Sequence, residues 1–242
     1  MKRVVVTRAS NQAGSLLERI TAMGWQPVVV PLIAMVGPED GGASLRSALI
    51  DAPKRYDWIA VTSPNGATAL DGALDGPLHG SRKGAISVAA VGPGTAAALV
   101  GLGWRVAMIA DRSIAEGLLE SFASMSPGRI LLPQAADART VLADGLRTMG
   151  WDVTAVVAYR SIPVKPSAVD VAAATGAHAI VFTSSSTVSA WVDTGAPVPS
   201  IVVSIGPATS HTARLAGITV TTEAAPHTLD GVISALANAF DQ

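Results

Sequence analysis

The hydrophobic positions of this chain fall in short, unbroken runs. They are Val4–Val6, Val28–Val30, Trp58–Val61, Ile86–Val91, Val106–Ile109, Ile130–Leu132, Val153–Val157, Ala179–Phe182, Ile201–Ile205 and Ile218–Val220. They are rich in Val and Ile and do not alternate with polar residues, which predicts strands buried on both faces of a parallel sheet. Between them lie amphipathic stretches. Leu16, Leu17, Ile20 and Met23 share one face of the first, and Leu142, Ala143, Leu146 and Met149 share one face of a later one. Gly24 and Gly150 then end these helices as C′ glycines. Strands alternating with helices predict the α/β class, with doubly wound parallel sheets. Ala85 to Trp104 carries no charge and is long enough to span a bilayer. Gly92-Pro93-Gly94 interrupts it, so it reads as a buried strand followed by an apolar helix.

The pattern occurs twice. Met23-Gly24-Trp25 returns 126 positions later as Met149-Gly150-Trp151. Val91-Gly92-Pro93 returns 114 positions later as Ile205-Gly206-Pro207, and Thr62-Ser63 returns as Thr183-Ser184 after 121. The order is therefore A, B, A′, B′. A cut at residue 125 would give tandem domains. The junction at 124–128 is an ordinary loop, however, whereas the segments at 31–38 and 159–166 are extended and marked by proline, as interdomain connectors are. The chain is expected to leave domain 1 (1–35), build domain 2 (37–160), and return for 165–242, making domain 1 discontinuous.

Composition narrows the chemistry. Among 242 residues, 49% are hydrophobic and the formal net charge is −1, which argues against a nucleic-acid or anionic-membrane partner. There is no cysteine, so thiolate nucleophiles, disulfides and Cys-based metal sites are excluded. The four histidines, at 79, 178, 211 and 227, lack metal-ligand spacing. The opening MKRVVVTRAS has too short an apolar run for a signal peptide, so a cytoplasmic monomer is expected.

Candidate chemistry collects where strands meet helices. The turns contain Thr7, Arg8 and Ser10; Thr62, Ser63 and Asn65; Gly94 and Thr95; Thr183, Ser184, Ser185 and Ser186; and Thr209. Ser and Thr are ordinary helix caps. Five such turns also point to an anion-binding cleft, because free N–H groups and the helix dipole favour anions there. No Walker A or GxGxxG motif follows a strand, so no nucleotide cofactor is indicated. Glu116 and Asp230 correspond across the repeat and suit the helix dipole. Tyr159 breaks the repeat, since its counterpart is Ile33. Two readings stay open for it: a hydroxyl that donates a proton, or a packing residue with a hydrogen-bonded tip.

In order along the chain, VVVTRAS (4–10), GWQPVVVPLI (24–33), YDWIAVTSPNGATAL (56–70), VAAVGPGTAAAL (88–99), GRILLPQAADAR (128–139), GWDVTAVVAYRSIP (150–163), IVFTSSSTVSAW (180–191) and SIGPATSHTARLAG (204–217) resemble the uroporphyrinogen-III synthase family. The resemblance implies two flavodoxin-like domains joined by a two-stranded connector, and cyclisation of hydroxymethylbilane, a linear tetrapyrrole polycarboxylate, with inversion of ring D. It implies no metal or organic cofactor. It also implies that Tyr159 helps the hydroxyl leave and that the turn residues above, with Thr228, bind substrate. Two positions depart from the family pattern: Asp230, where Glu is commoner, and Ser185-Ser186, in place of a proline-bearing turn. A non-catalytic protein that binds a small polyanion is the alternative.

Overall fold

The computed structural model describes residues 1–8, 10–74 and 86–241, with residues 10–12 described by their backbone alone. In chain order its elements are β1 (Arg3–Val6), α1 (Ser10–Ala22), β2 (Gln26–Val29), β3 (Ile33–Val36), α2 (Ala43–Leu49), α3 (Ala52–Arg55), β4 (Trp58–Val61), α4 (Pro64–Gly72), β5 (Ser87–Ala90), α5 (Pro93–Gly101), β6 (Val106–Ile109) and α6 (Ala115–Phe122). There follow β7 (Arg129–Ala135), α7 (Val141–Thr148), β8 (Asp152–Pro163), α8 (Ala168–Ala174), β9 (Ala179–Phe182), α9 (Ser185–Asp193), β10 (Ile201–Ser204), α10 (Pro207–Leu215), β11 (Thr222–Glu223) and α11 (Leu229–Phe240).

The chain divides into two compact units, Met1–Ala34 with Ile162–Gln242, and Met35–Ser161. Unit 1 holds a sheet of order β11-β10-β9-β1-β2, whose pairings are parallel. Unit 2 is built on the order β3-β8-β7-β4-β5-β6, parallel from β8 to β6. In each sheet the winding reverses once, between β1 and β9 in unit 1 and between β7 and β4 in unit 2. Such a reversal opens a crevice at the carboxyl ends of the strands, where open α/β sheets bind ligands.

Unbroken apolar runs form these strands because both faces are covered. In unit 1, Val5, Ile180, Phe182 and Val202 pack beneath side chains from α8, α9 and α10, while Val4, Val6, Val181 and Val203 pack against α1 and α11. In unit 2, Ile59, Val61, Val88 and Leu131 face α2, α4 and α5, and Ala60, Ala89, Ile130 and Leu132 face α6 and α7. Each large aliphatic side chain so buried contributes about 1.5–3 kcal/mol. The uncharged stretch ending at Trp104 resolves into β5 and α5. No helix among the described residues is long and apolar enough to cross a membrane.

Both expected helix stops form. Gly24 and Gly150 take left-handed backbone, with φ of 75° and 89°. The N–H groups of Trp25 and Trp151 then close onto the carbonyls of Ile20 and Leu146 at 3.2 and 3.0 Å. Two expectations are corrected. Met23 is 45% exposed, because α1 ends at Ala22 and the stop turn carries the methionine off the core face that Leu16 and Ile20 occupy. Ile218–Val220 is not a strand. The Thr221 hydroxyl accepts from the Val202 N–H at 3.0 Å, taking a ladder position, and regular pairing begins only at Thr222.

Candidate active site

In unit 2 the strand–helix turns build one specific contact. Ser63 caps α4 in extended backbone, its Oγ accepting from the Gly66 N–H at 2.9 Å. The same oxygen lies 2.8 Å from the hydroxyl of Tyr159 on β8. Between β8 and β4 runs β7, so this hydrogen bond spans the carboxyl end of β7 at the point where the winding reverses. The register places it there. The β7–β8 register shifts between Gln134 and Ala135, where β8 carries the extra residue Ala158, so Ala135 stands opposite Tyr159, and the Tyr159 carbonyl accepts from the Ala136 N–H at 3.0 Å. The tyrosine ring is half-buried at the edge of the core. With one serine lone pair taken by Gly66, the two hydroxyls share a single proton-carrying contact, which holds the phenol oxygen in place beside a helix start.

In unit 1 the corresponding cap is Ser184 at α9, which accepts from the Thr187 N–H at 3.3 Å and lies 2.9 Å from the Ser186 hydroxyl. Ser185 donates to the Ala208 carbonyl at 3.1 Å, tying α9 to α10. Thr228 caps α11, its hydroxyl accepting from the Gly231 N–H at 3.2 Å. Arg8 follows β1 half-buried, and desolvation alone holds its guanidinium below the usual arginine range. It makes no ion pair among the described residues. A partly desolvated cation of this kind gains from an anionic ligand.

Other predicted positions offer backbone rather than side chain. Thr7 is fully buried, its hydroxyl donating to the Val181 carbonyl at 3.0 Å, which stitches β1 to β9. Thr95 and Thr209 are buried in the first turns of α5 and α10. There the amides of Gly94, Thr95 and Thr209 precede the first intrahelical bonds, which run from Ala96 to Gly92 and from Ser210 to Gly206. Thr62, Asn65 and Thr183 are half-buried at their turns. The Ser10 side chain and His79 lie outside the described residues. His178 accepts from the Arg3 N–H at 3.0 Å as a sheet-edge residue. Glu116 pairs with Arg139 at 3.7 Å, and Asp230 with Arg19.

Local sequence patterns did not reveal a polar chain at the end of the unit 1 sheet, Ser204, Ser210, Glu223 and His227. The signal was present in the repeat, since the positions 114 residues earlier are Ala90, Ala96, Ile109 and Ser113. Among the described residues, no group of three or more metal-ligating side chains comes together.

The chain is 30% identical to the uroporphyrinogen-III synthase of Synechococcus elongatus, over 97% of this chain and 94% of that one. It is 24% identical to the chloroplastic uroporphyrinogen-III synthase of Oryza sativa subsp. japonica, over 89% of this chain and 73% of the other. Its fold matches that of the uroporphyrinogen-III synthetase of Helicobacter pylori 26695 with a TM-score of 0.68 at 17% identity, covering 100% and 99% of the two chains. It also matches a mutant uroporphyrinogen III synthase of Thermus thermophilus with a TM-score of 0.61 at 17% identity, again covering 100% and 99%. The family profile described as uroporphyrinogen-III synthase HemD spans residues 14–234. With both sheets, their winding and nearly the full length accounted for, the chain belongs to the uroporphyrinogen-III synthase family.

Proposed function

We propose that this chain converts hydroxymethylbilane to uroporphyrinogen III with loss of water and inversion of ring D, and that Tyr159 supplies the proton. The observation that carries the proposal is the 2.8 Å contact between the Tyr159 and Ser63 hydroxyls at the reversal of the unit 2 sheet. As the carbon–oxygen bond of the hydroxymethyl group breaks, the phenol proton goes to the departing hydroxide, giving water. Ser63, then donating, stabilises the phenolate. The azafulvenium left on the tetrapyrrole is attacked by a pyrrole carbon, and the proton lost as the ring closes returns to Tyr159. The substrate supplies both nucleophile and electrophile, so the protein's contribution is positioning and exclusion of water.

The substrate is a polyanion and the chain has a net charge of −1, so bulk charge attraction does not support recognition. Arg8, the hydroxyls of Ser184, Ser185 and Thr228, and the first-turn amides of Gly94, Thr95 and Thr209 support carboxylate binding instead. Ser10, Thr62, Asn65, Thr183 and Ser186 complete the proposed contacts. The reading calls for no cofactor, nucleic acid or membrane, and for a cytoplasmic monomer. Its test couples enzymatic production of hydroxymethylbilane to this protein and identifies the isomer formed. Isomer III is expected. Isomer I alone, the spontaneous product, would leave a binding protein in place of an enzyme.

A further inference from the structure

Unit 1 carries a polar chain where unit 2 has apolar side chains. The buried hydroxyls of Ser204, ending β10, and Ser210, on α10, lie 2.6 Å apart. Ser210 donates to one oxygen of the Glu223 carboxylate at the end of β11, and the other oxygen lies 3.4 Å from Nε2 of His227. In unit 2 the counterparts Ala90 and Ala96 are buried and Ile109 is 48% exposed, so the same framework closes with no such chain. Buried polar groups cost desolvation unless partnered. Here the buried serines and the carboxylate are all partnered, and the chain runs outward to one open group. The His227 side chain is 56% exposed, and its Nδ1 has no partner among the described residues. The ring stands 3.4 Å from where a Cβ on Gly206 would sit, at the carboxyl end of the sheet.

We infer that His227 binds one carboxylate of the linear tetrapyrrole through Nδ1, and that Glu223, Ser210 and Ser204 are positioning residues that fix its ring. The inference rests on the synthase reading. Nε2 stands 3.4 Å from the Glu223 carboxylate, and Nδ1 faces the substrate carboxylate as a donor to an ionised acceptor. That supplies a charge-assisted contact in a chain with no excess of basic residues. Fixing the ring in advance lowers the ordering cost of binding.

Steady-state kinetics of the full chain with freshly generated hydroxymethylbilane test this. His227→Ala is expected to raise KM about tenfold, with kcat within about twofold of wild type and an unchanged melting temperature. His227→Lys, which supplies a cationic donor at the same position, is expected to recover KM to within about threefold. Glu223→Ala should raise KM by less than His227→Ala, and should add nothing in the His227→Ala background. His211→Ala, at an exposed position on α10, serves as the control and should change neither constant. An unchanged KM in His227→Ala, no recovery with lysine, or a Glu223→Ala effect that survives without His227 would each overturn the inference. Those outcomes leave isomer III as the product. Isomer I from the wild-type chain would instead bring down the synthase reading, and the inference with it.

Discussion

Ser63 in unit 2 and Ser184 in unit 1 cap equivalent helices with nearly the same backbone, at φ −162° and −163° and a common ψ of 157°. Above Ser63 stands the Tyr159 hydroxyl, whereas the Ser184 hydroxyl meets the hydroxyls of Ser186 and Thr187 on its own helix. At the far end of each sheet the asymmetry runs the other way. Unit 1 presents His227 on a hydrogen-bonded support, and unit 2 presents Ser113 on an apolar one. The duplicated frame fixes where strand ends and helix starts lie. On the proposed reading, the departures from duplication give the two units different work: a proton donor in unit 2, and hydrogen-bond donors to substrate carboxylates in unit 1.

The shared frame can be broken first. A Cβ on Gly231 would run into the Pro226 carbonyl, and one on its counterpart Gly117 into the Arg112 carbonyl. Gly231→Val and Gly117→Val should each cost about 3 kcal/mol, read as matched losses in urea denaturation midpoints. A large loss in one with none in the other would show that the units do not share these turns.

Function should divide more sharply. Tyr159→Phe is expected to lower kcat about a hundredfold while costing about 1 kcal/mol of stability. Wild-type turnover in that variant would return the tyrosine to a packing role. The caps give a finer contrast. Ser63→Ala and Ser184→Ala should each cost about 1 kcal/mol. Beyond that common cost, the Ser63 variant should lose kcat and the Ser184 variant should gain KM. Both effects falling on the same constant would erase the proposed division.

The smallest effect lies at the opposite end of the sheets. Asp57 accepts from the Arg129 side chain and from its backbone N–H at 2.8 Å, and these bonds hold its carboxyl below the usual range. In unit 1, His178 fills the same place against the Arg3 N–H. A depressed folded-state pKa means that the Asp57 contribution is present above the unfolded carboxylate value, about 3.9, and is lost as pH falls through the lower folded value. Asp57→Asn should therefore flatten the stability profile below about pH 4. Because Asp57 is half exposed, the change should be small and screened by salt. A profile as steep in the variant as in the wild type would remove Asp57 from that role.

Much of the frame was legible along the chain. The runs at Val4–Val6 and Ala179–Phe182 became β1 and β9 because their residues are apolar on both faces, a condition met only between two helix layers. Boundaries were less legible where a side chain competes with the backbone ladder, as Thr221 does at β11. The site was legible as a set of turns. Hydroxyl type alone, however, did not distinguish Thr7, which stitches two strands, from Ser63, which faces Tyr159.

The sequence by itself determined the α/β class, the twofold repeat and the helix stops at Gly24 and Gly150, because each follows from local periodicity and from backbone that glycine adopts freely. Only the tertiary structure decided which polar groups meet. Tyr159 and Ser63 are 96 residues apart in sequence and are brought to 2.8 Å by strand order, register and the extra residue Ala158 in β8. Ser204, Ser210, Glu223 and His227 join because β10 and β11 pair in parallel beneath α10. Contacts of that kind depend on which strand lies beside which and on the direction each side chain leaves it, and neither is encoded in the spacing along the chain.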